Sequence, residues 1–104
     1  MPQFSLHRNK APSEVEFPFL LDIQNDLLND LQTRVVIPLH RKGSTSLQAM
    51  ARLMPEVSFA GQSYVLMTPQ MAGIDRRDLG DEVGDLKEYR DEILGAIDLL
   101  VVGF

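Results

Sequence analysis

The chain has 104 residues, of which 44% are hydrophobic and 24% charged, and it contains no cysteine. This size and composition predict a single globular domain, residues 1–104, with a modest core. The lack of cysteine excludes disulfides, thiolate chemistry and cysteine-based metal sites. The net charge of −5 counts against binding a phosphate backbone, which needs clustered Lys and Arg. No apolar run resembles a signal peptide or a membrane span, so we expect a cytoplasmic protein.

The first half of the chain is predicted to form short strands. Residues 3–7 alternate polar and apolar, and residues 17–23 and 34–39 are apolar runs. Pro18 and Pro38 indicate that these strands have an end, an edge or a bulge at those positions. Polar loops are expected at residues 9–16 and 40–46.

The second half is predicted to contain a short helix, a hairpin and a further strand. Ser44 or Thr45 can cap a helical stretch that runs to Met54 and stops at Pro55. Strands at residues 56–59 and 62–67 flank Ala60-Gly61, and glycine takes the positive φ that a tight turn requires. Residues 71–74 predict one more short strand, and residues 75–84 a charged connection. Five or six short strands followed by a helix indicate the α+β class.

Residues 85–104 begin as an amphipathic helix and end as an apolar tail. Asp85 and Glu88 have the spacing of a capping box. Leu99 and Val102 project on the polar side, and Gly103 is placed for a left-handed cap. One helix face carries Leu86, Tyr89, Ile93, Leu94, Ile97, Leu100 and Val101. A helix end that is apolar all round needs a second surface, which the domain itself, a subunit or a partner could supply.

Asp98 lies in the last turn of this helix, next to the negative end of the helix dipole. That position costs about 0.3–1 kcal/mol unless a cation is near. No Lys or Arg follows Arg90 in the chain. Asp98 is therefore either solvated or paired with an arginine from another molecule.

No arrangement of residues predicts catalysis, a metal or a cofactor. His7 and His40 could act as an acid–base pair, with Arg8 or Arg41 holding a phosphate, as in a metal-free ribonuclease. The carboxylates between residues 75 and 85 lack calcium-loop spacing, and no phosphate-binding glycine fingerprint occurs. We expect no catalytic residue, no metal and no cofactor.

Several segments, in the same order over nearly the whole chain, resemble the CcdB family, the toxins of plasmid and chromosomal toxin–antitoxin pairs. The resemblance implies a homodimer of SH3-like small antiparallel barrels, each with a C-terminal helix and no enzymatic activity. It also implies binding to the GyrA subunit of DNA gyrase, whose cleaved-DNA complex the toxin traps. A CcdA-like antitoxin would neutralise the protein and supply all contacts with operator DNA. The matching segments are Gln3-Phe4, residues 21–28 and 36–39, Met67-Thr68, Met71-Ala72, residues 80–83, Asp85-Leu86, Ala96-Ile97 and Gly103-Phe104.

The resemblance assigns residues to two binding surfaces. The gyrase-binding residues are Leu27, Leu28, Asp98, Val101, Val102, Gly103 and Phe104. The antitoxin is expected near the loops at residues 9–16 and 40–46, with Arg8, Lys10, Arg41 and Lys42 as contacts.

Three of the gyrase-binding positions depart from the best-known toxin of the family. That toxin carries tryptophan, asparagine and isoleucine where this chain has Val102, Asp98 and Phe104. Its two tryptophans enclose an arginine of gyrase, and valine cannot stack on a guanidinium. Either Asp98 forms a charge-assisted pair with that arginine, or gyrase poisoning is weakened or lost. We favour retained gyrase binding.

Two other functions remain open. The related MazF/Kid toxins share this barrel and cut mRNA, and this chain would then use His7, Arg8, His40 or Arg41 on RNA. The acidic pI of about 4.8 argues against that activity. A non-toxic homologue would bind the antitoxin and leave gyrase untouched.

Overall fold

The computed structural model describes residues 2–42 and 51–103. Within these residues seven antiparallel strands form one sheet, in the order β4-β5-β3-β2-β1-β7, with β6 also paired to β3. The strands are β1 (Ser5–Asn9), β2 (Phe19–Asp22), β3 (Thr33–Arg41), β4 (Glu56–Phe59), β5 (Gln62–Leu66), β6 (Ala72–Asp75) and β7 (Leu79–Asp85), and the helix α1 is Arg90–Val101. The sheet curls into a small barrel with α1 packed on it. The predicted α+β barrel with a C-terminal helix is confirmed.

The core lies between the inner face of the sheet and the C-terminal segment. Leu6 pairs with Leu21 and Leu21 with Ile37, so these three fully buried side chains share one face of neighbouring strands. Leu86 and Ile93 join the same cluster from the segment that follows the sheet. Burial of each such side chain contributes about 1.5–3 kcal/mol, which holds α1 against the barrel.

The predicted hairpin between β4 and β5 is confirmed. Its two central residues, Ala60 and Gly61, have φ angles of 52° and 80°. Positive φ at both central positions is the geometry of the type I′ turn, whose twist matches that of the flanking strands.

The predicted connection at residues 75–84 is wrong for most of its length. Only a short 3-10 turn, Arg76–Asp78, separates β6 from β7, and β7 pairs with β1 along the sheet edge. The strand was missed because its charged side chains face solvent and show no apolar alternation. Gly84 lies so close to the ring of Phe59 in β4 that an added Cβ would be 2.7 Å from it. The two edge strands β4 and β7 therefore approach each other at this point of the curled sheet.

The strand β3 is longer and more central than predicted. His40 and Arg41 belong to it and pair with Val65 and Tyr64, although residues 40–46 were expected to form a loop. Pro38 lies inside the sheet, where the partner of β3 changes from β6 to β5. Its carbonyl accepts a bond from the Met67 amide (2.9 Å), on the side away from β2. The nitrogen of a strand residue points to the same side as its carbonyl, so the missing N–H of Pro38 costs no hydrogen bond to β2.

The terminal helix begins later than predicted and ends as predicted. The carboxylate of Asp85 accepts a bond from the Lys87 amide (3.1 Å), and a 3-10 turn precedes α1. Gly103 has a φ of 95° and its amide donates to the Leu99 carbonyl (3.1 Å), which confirms the left-handed cap. The predicted helix at residues 44–54 lies mostly outside the described residues. In the described part of the chain, no helix has the length and apolar character needed to cross a membrane.

Candidate functional site

Three exposed leucines occupy the loop between β2 and β3, and we call them the leucine surface: Leu27, Leu28 and Leu31. The side chain of Leu27 is 90% exposed, and those of Leu28 and Leu31 are about half exposed. The first two lie on a single 3-10 turn, Asp26–Leu28, and the Leu27 amide donates to the side chain of the capping residue Asn25 (2.8 Å). This cap satisfies a free backbone donor and defines the start of the turn.

Four polar side chains at the base of this loop bond to one another or to its backbone. Arg34 and Asp22 are fully buried, with Nε of Arg34 2.8 Å from Oδ2 of Asp22. Nη1 of Arg34 also donates to Oδ1 of Asn29 (2.8 Å). Gln24 is buried, and its side chain donates to the Leu28 carbonyl (2.9 Å). We call the four side chains of Asp22, Gln24, Asn29 and Arg34 the polar network.

Neighbouring segments hold the leucine loop from outside. The Gln3 amide donates to the carboxylate of Asp26 (2.6 Å). A guanidinium nitrogen of Arg76 donates to the Asn29 carbonyl, and the Arg76 amide donates to the Gln32 carbonyl (2.9 Å). The loop is therefore tied to the N-terminus and to the turn after β6, in addition to its own strands.

The second exposed apolar surface is the end of α1, and we call it the apolar tail: Leu100, Val101, Val102 and Gly103. Val101 is 74% exposed, and Leu100 and Val102 are also exposed. Periodicity placed Leu100 and Val101 on the same helix face as Ile93, and Leu99 on the polar side. The placement of Leu99 is wrong, because the buried side of the helix runs through Ile93 and Ala96 to the half-buried Leu99. Phe104 lies outside the described residues.

Asp98 is exposed in the last turn of α1, beside the apolar tail. Its carbonyl accepts bonds from the amides of Val102 (2.7 Å) and Gly103 (3.4 Å). Among residues 2–42 and 51–103, no hydrogen bond or ion pair engages its carboxylate. The side chain is available for a cation from another molecule.

The four basic residues assigned to the antitoxin lie at the other end of the sheet from the leucine surface. Arg8 and Arg41 stand near the ends of β1 and β3, where β2 begins, whereas the leucine loop follows the end of β2. Lys42 lies 2.9 Å from Glu56, and this hydrogen bond lowers the pKa of the Glu56 carboxyl. The basic residues and the leucine surface therefore lie at opposite ends of the sheet.

The structure does not bring the two histidines together. His7 is buried, its Nδ1 lies 3.2 Å from the Gly80 carbonyl, and its Nε2 lies 2.9 Å from the Ser5 hydroxyl. A carbonyl can only accept, so Nδ1 donates and Nε2 accepts in the neutral ring. His40 contacts the ring of Phe17 edge-to-face at 5.6 Å. His7 in β1 and His40 in β3 are two strands and two residues apart in the sheet. Strand spacing therefore places their Cα atoms about 12 Å apart.

No group of three or more His, Asp or Glu side chains within residues 2–42 and 51–103 could hold a metal ion. The outer face of the sheet carries an apolar groove of about 220 Å³. It is lined mainly by apolar side chains of β2, β3 and β6, among them Leu20, Val36, Pro38 and Ile74. Sequence reasoning did not predict this groove.

Sequence reasoning also missed Leu31 and the polar network. A usable sign was present, because Asp22 directly follows the apolar residues 17–21 and Arg34 directly precedes the apolar residues 35–39. Such charges are seldom fully buried unless they are paired. Leu31 stands alone among polar residues, and nothing in the local pattern marks it as part of a surface.

Two comparisons with known proteins bear on this site. The family described as CcdB protein matches residues 3–103 of the chain. The fold is similar to a solved structure described as "Endoribonuclease in complex with its cognate antitoxin from Mycobacterial species", with a TM-score of 0.73 and 14% identity. The match covers 100% of this chain and 96% of that chain. At this identity the structural likeness bears on the fold alone.

Proposed function

Because the chain belongs to the CcdB family, we propose that it is the toxin of a type II toxin–antitoxin pair. In this proposal it binds the GyrA subunit of DNA gyrase and traps the cleaved-DNA complex, without enzymatic activity of its own. One observation carries the proposal: apolar side chains are exposed at both segments that the family uses on gyrase. These are Leu27 and Leu28 on the leucine surface, and Val101 and Val102 on the apolar tail. Soluble proteins rarely expose such side chains in clusters without a partner.

The proposed role of Asp98 is recognition of an arginine of GyrA. Its carboxylate is exposed at the unfavourable end of the helix dipole, where a cation from a partner would relieve the repulsion. A carboxylate can also form two parallel hydrogen bonds to a guanidinium. This charge-assisted pair would take the place of aromatic stacking, which Val102 cannot provide.

The proposed assembly is a cytoplasmic homodimer that is neutralised by a CcdA-like antitoxin. A second copy would bring two apolar tails together and shield part of their surface from water. The antitoxin would contact Arg8, Lys10, Arg41 and Lys42 at the opposite end of the sheet. The net charge of −5 favours operator contacts made through the antitoxin rather than by this chain.

A metal-independent mRNA endoribonuclease is the second candidate, and a non-toxic antitoxin-binding homologue is the third. The fold of the mycobacterial structure supports the nuclease only at the level of architecture. The bonded ring nitrogens of His7 and its separation from His40 count against that pair as acid and base.

One experiment separates these functions. Purified protein is incubated with gyrase and supercoiled DNA, and in parallel with RNA. We expect stabilised double-strand breaks that require gyrase, and intact RNA. RNA fragments without DNA breaks would establish the nuclease instead, and neither product would favour the non-toxic homologue.

A matched pair of variants ties the DNA breaks to the leucine surface. Leu27→Asp places a charge on the proposed interface and is expected to abolish the breaks. Val15→Asp is the control, because Val15 is 83% exposed on the loop between β1 and β2, at the other end of the sheet. Equal loss in both variants would mean that the leucine surface has no special role.

A further inference from the structure

We infer that the polar network positions the leucine surface, so that Leu27, Leu28 and Leu31 are presented to GyrA in a conformation already suited to binding. This inference rests on the proposed function for the identity of the partner. It adds four positioning residues and a third contact leucine to the site.

In the loop between β2 and β3, the three leucines are exposed, whereas Asp22, Gln24 and Arg34 at the base of the loop are buried. Both halves of this arrangement oppose stability, because apolar exposure forgoes hydrophobic burial and buried charges lose their hydration. An arrangement that is unfavourable twice over is expected where an exposed apolar surface is needed for binding.

The polar network can stabilise this arrangement because its buried polar groups are hydrogen-bonded. Oδ1 of Asp22 accepts from the Gln24 amide (2.9 Å), and Oδ2 accepts from Arg34 (2.8 Å). The Gln24 side chain bonds to Leu28 on the loop and to the amide of Val35 on β3 (3.1 Å). The bonds therefore run from both strands to the turn that carries the leucines.

Asn29 is the residue through which two cations restrain the loop. Its side chain accepts a hydrogen bond from the buried Arg34 of β3, and its carbonyl accepts one from Arg76, which follows β6. It directly follows Leu28 and lies two residues before Leu31, whose amide donates to the Leu28 carbonyl (3.2 Å). Loss of the Asn29 side-chain acceptor would free the turn while leaving the Asp22–Arg34 pair in place.

A fixed loop binds more tightly because less conformational freedom is lost on association. Leu31, about half exposed like Leu28, would extend the surface beyond the two leucines assigned by the family. The partner surface that fits these three leucines is apolar, because only an apolar surface gains free energy by covering them.

The test uses three variants of the full chain. Asn29→Ala removes the acceptor, Asn29→Asp keeps an oxygen at the same position, and Asp30→Ala is the control. Asp30 is exposed, and its side chain makes no hydrogen bond or ion pair with residues 2–42 or 51–103. Two measurements are made: amide hydrogen exchange at residues 27–31, and calorimetric titration with purified GyrA.

In Asn29→Ala we expect exchange at residues 27–31 to become about tenfold faster, with α1 unchanged, and GyrA affinity to fall about tenfold. Asn29→Asp and Asp30→Ala should match the parent in both measurements. Unchanged exchange in Asn29→Ala would overturn the inference whatever the partner is. Faster exchange with unchanged GyrA affinity would overturn it as well.

The same titration keeps the two proposals apart. A parent chain that does not bind GyrA refutes the proposed function, while the exchange measurement still decides whether Asn29 holds the loop. If a Leu31→Ser variant binds GyrA as tightly as the parent, Leu31 is not part of the GyrA contact.

Discussion

The leucine surface and the apolar tail both expose large apolar side chains, but they are held in different ways. The leucine surface lies on a loop tied down by buried charges, with Arg34 and Asp22 fully inaccessible to water. The apolar tail continues a helix that is packed through Ile93 and Ala96, and it ends in the backbone cap at Gly103. One surface therefore depends on side-chain contacts between distant residues, and the other on local helix geometry.

The two surfaces should therefore respond differently to substitution. Substitutions beneath the leucine surface should damage stability as well as binding, because they leave buried polar groups without partners. Substitutions in the tail should affect binding with little effect on stability, because its side chains make few buried contacts.

Arg34→Met should cause the largest loss. It leaves the buried Asp22 carboxylate without its cation, and breaking such a pair costs about 3–5 kcal/mol of unfolding free energy. Urea unfolding followed by circular dichroism measures this loss. Val101→Ser in the tail is the matched comparison and should change stability by less than about 0.5 kcal/mol. Similar losses in the two variants would mean that the surfaces are not held differently.

Deletion of Gly103 and Phe104 should abolish toxicity and leave the barrel folded. The deletion removes the last residues of the proposed gyrase surface and leaves the buried helix residues Ile93 and Ala96 in place. Growth after induction is compared with the parent at equal expression, and thermal unfolding monitors the fold. A truncated protein that still arrests growth would show that the tail is not the poisoning surface.

Asp98→Asn should weaken GyrA binding about tenfold, which corresponds to about 1.4 kcal/mol. The same change should raise stability by about 0.3–1 kcal/mol, because it removes a negative charge from the negative end of the helix dipole. Calorimetry measures the first effect and urea unfolding the second. Unchanged affinity would exclude arginine recognition by Asp98, whatever the effect on stability.

Lys42→Met should have the smallest effect on stability. Its exposed pair with Glu56 serves as a reference for the buried Asp22–Arg34 pair. The hydrogen bond from Lys42 lowers the pKa of Glu56 from its usual 4.5, so the pair stabilises the fold above that pH. This stabilisation is lost as the pH falls through the lowered pKa of the folded state. The parent should therefore lose slightly more stability than Lys42→Met between pH 6 and pH 3. The difference stays small because solvent and salt screen an exposed pair. A loss of unfolding free energy as large as that of Arg34→Met would contradict this prediction.

Much of the fold follows from local patterns, and the exceptions have physical causes. The β4–β5 hairpin was predictable because Ala60-Gly61 separates two apolar strands, and Gly103 marked the helix end. The strand β7 was not predictable, because an edge strand with solvated charges has no apolar alternation. Its position depends on pairing with β1, more than seventy residues earlier in the chain.

The candidate site divides in the same way. Leu27, Leu28, Val101 and Val102 were expected from resemblance to the family, and all four are exposed. The exposure of Leu100 and the contribution of Leu31 were not foreseen, because helical periodicity alone does not say which residues of an apolar end remain covered. The tertiary contacts of Ala96 and Leu99 decide that outcome.

The sequence alone was enough to predict where most strands lie along the chain, the tight turn, the terminal helix with its left-handed cap, and the family. These features rest on residues close together in the chain, where backbone preference and periodicity act. Long-range packing alone brings Asp22 and Arg34 together in the interior, places Phe59 against Gly84, and gives both ring nitrogens of His7 a hydrogen-bond partner. Burial and long-range pairing depend on which distant segments pack together, and no local pattern records that.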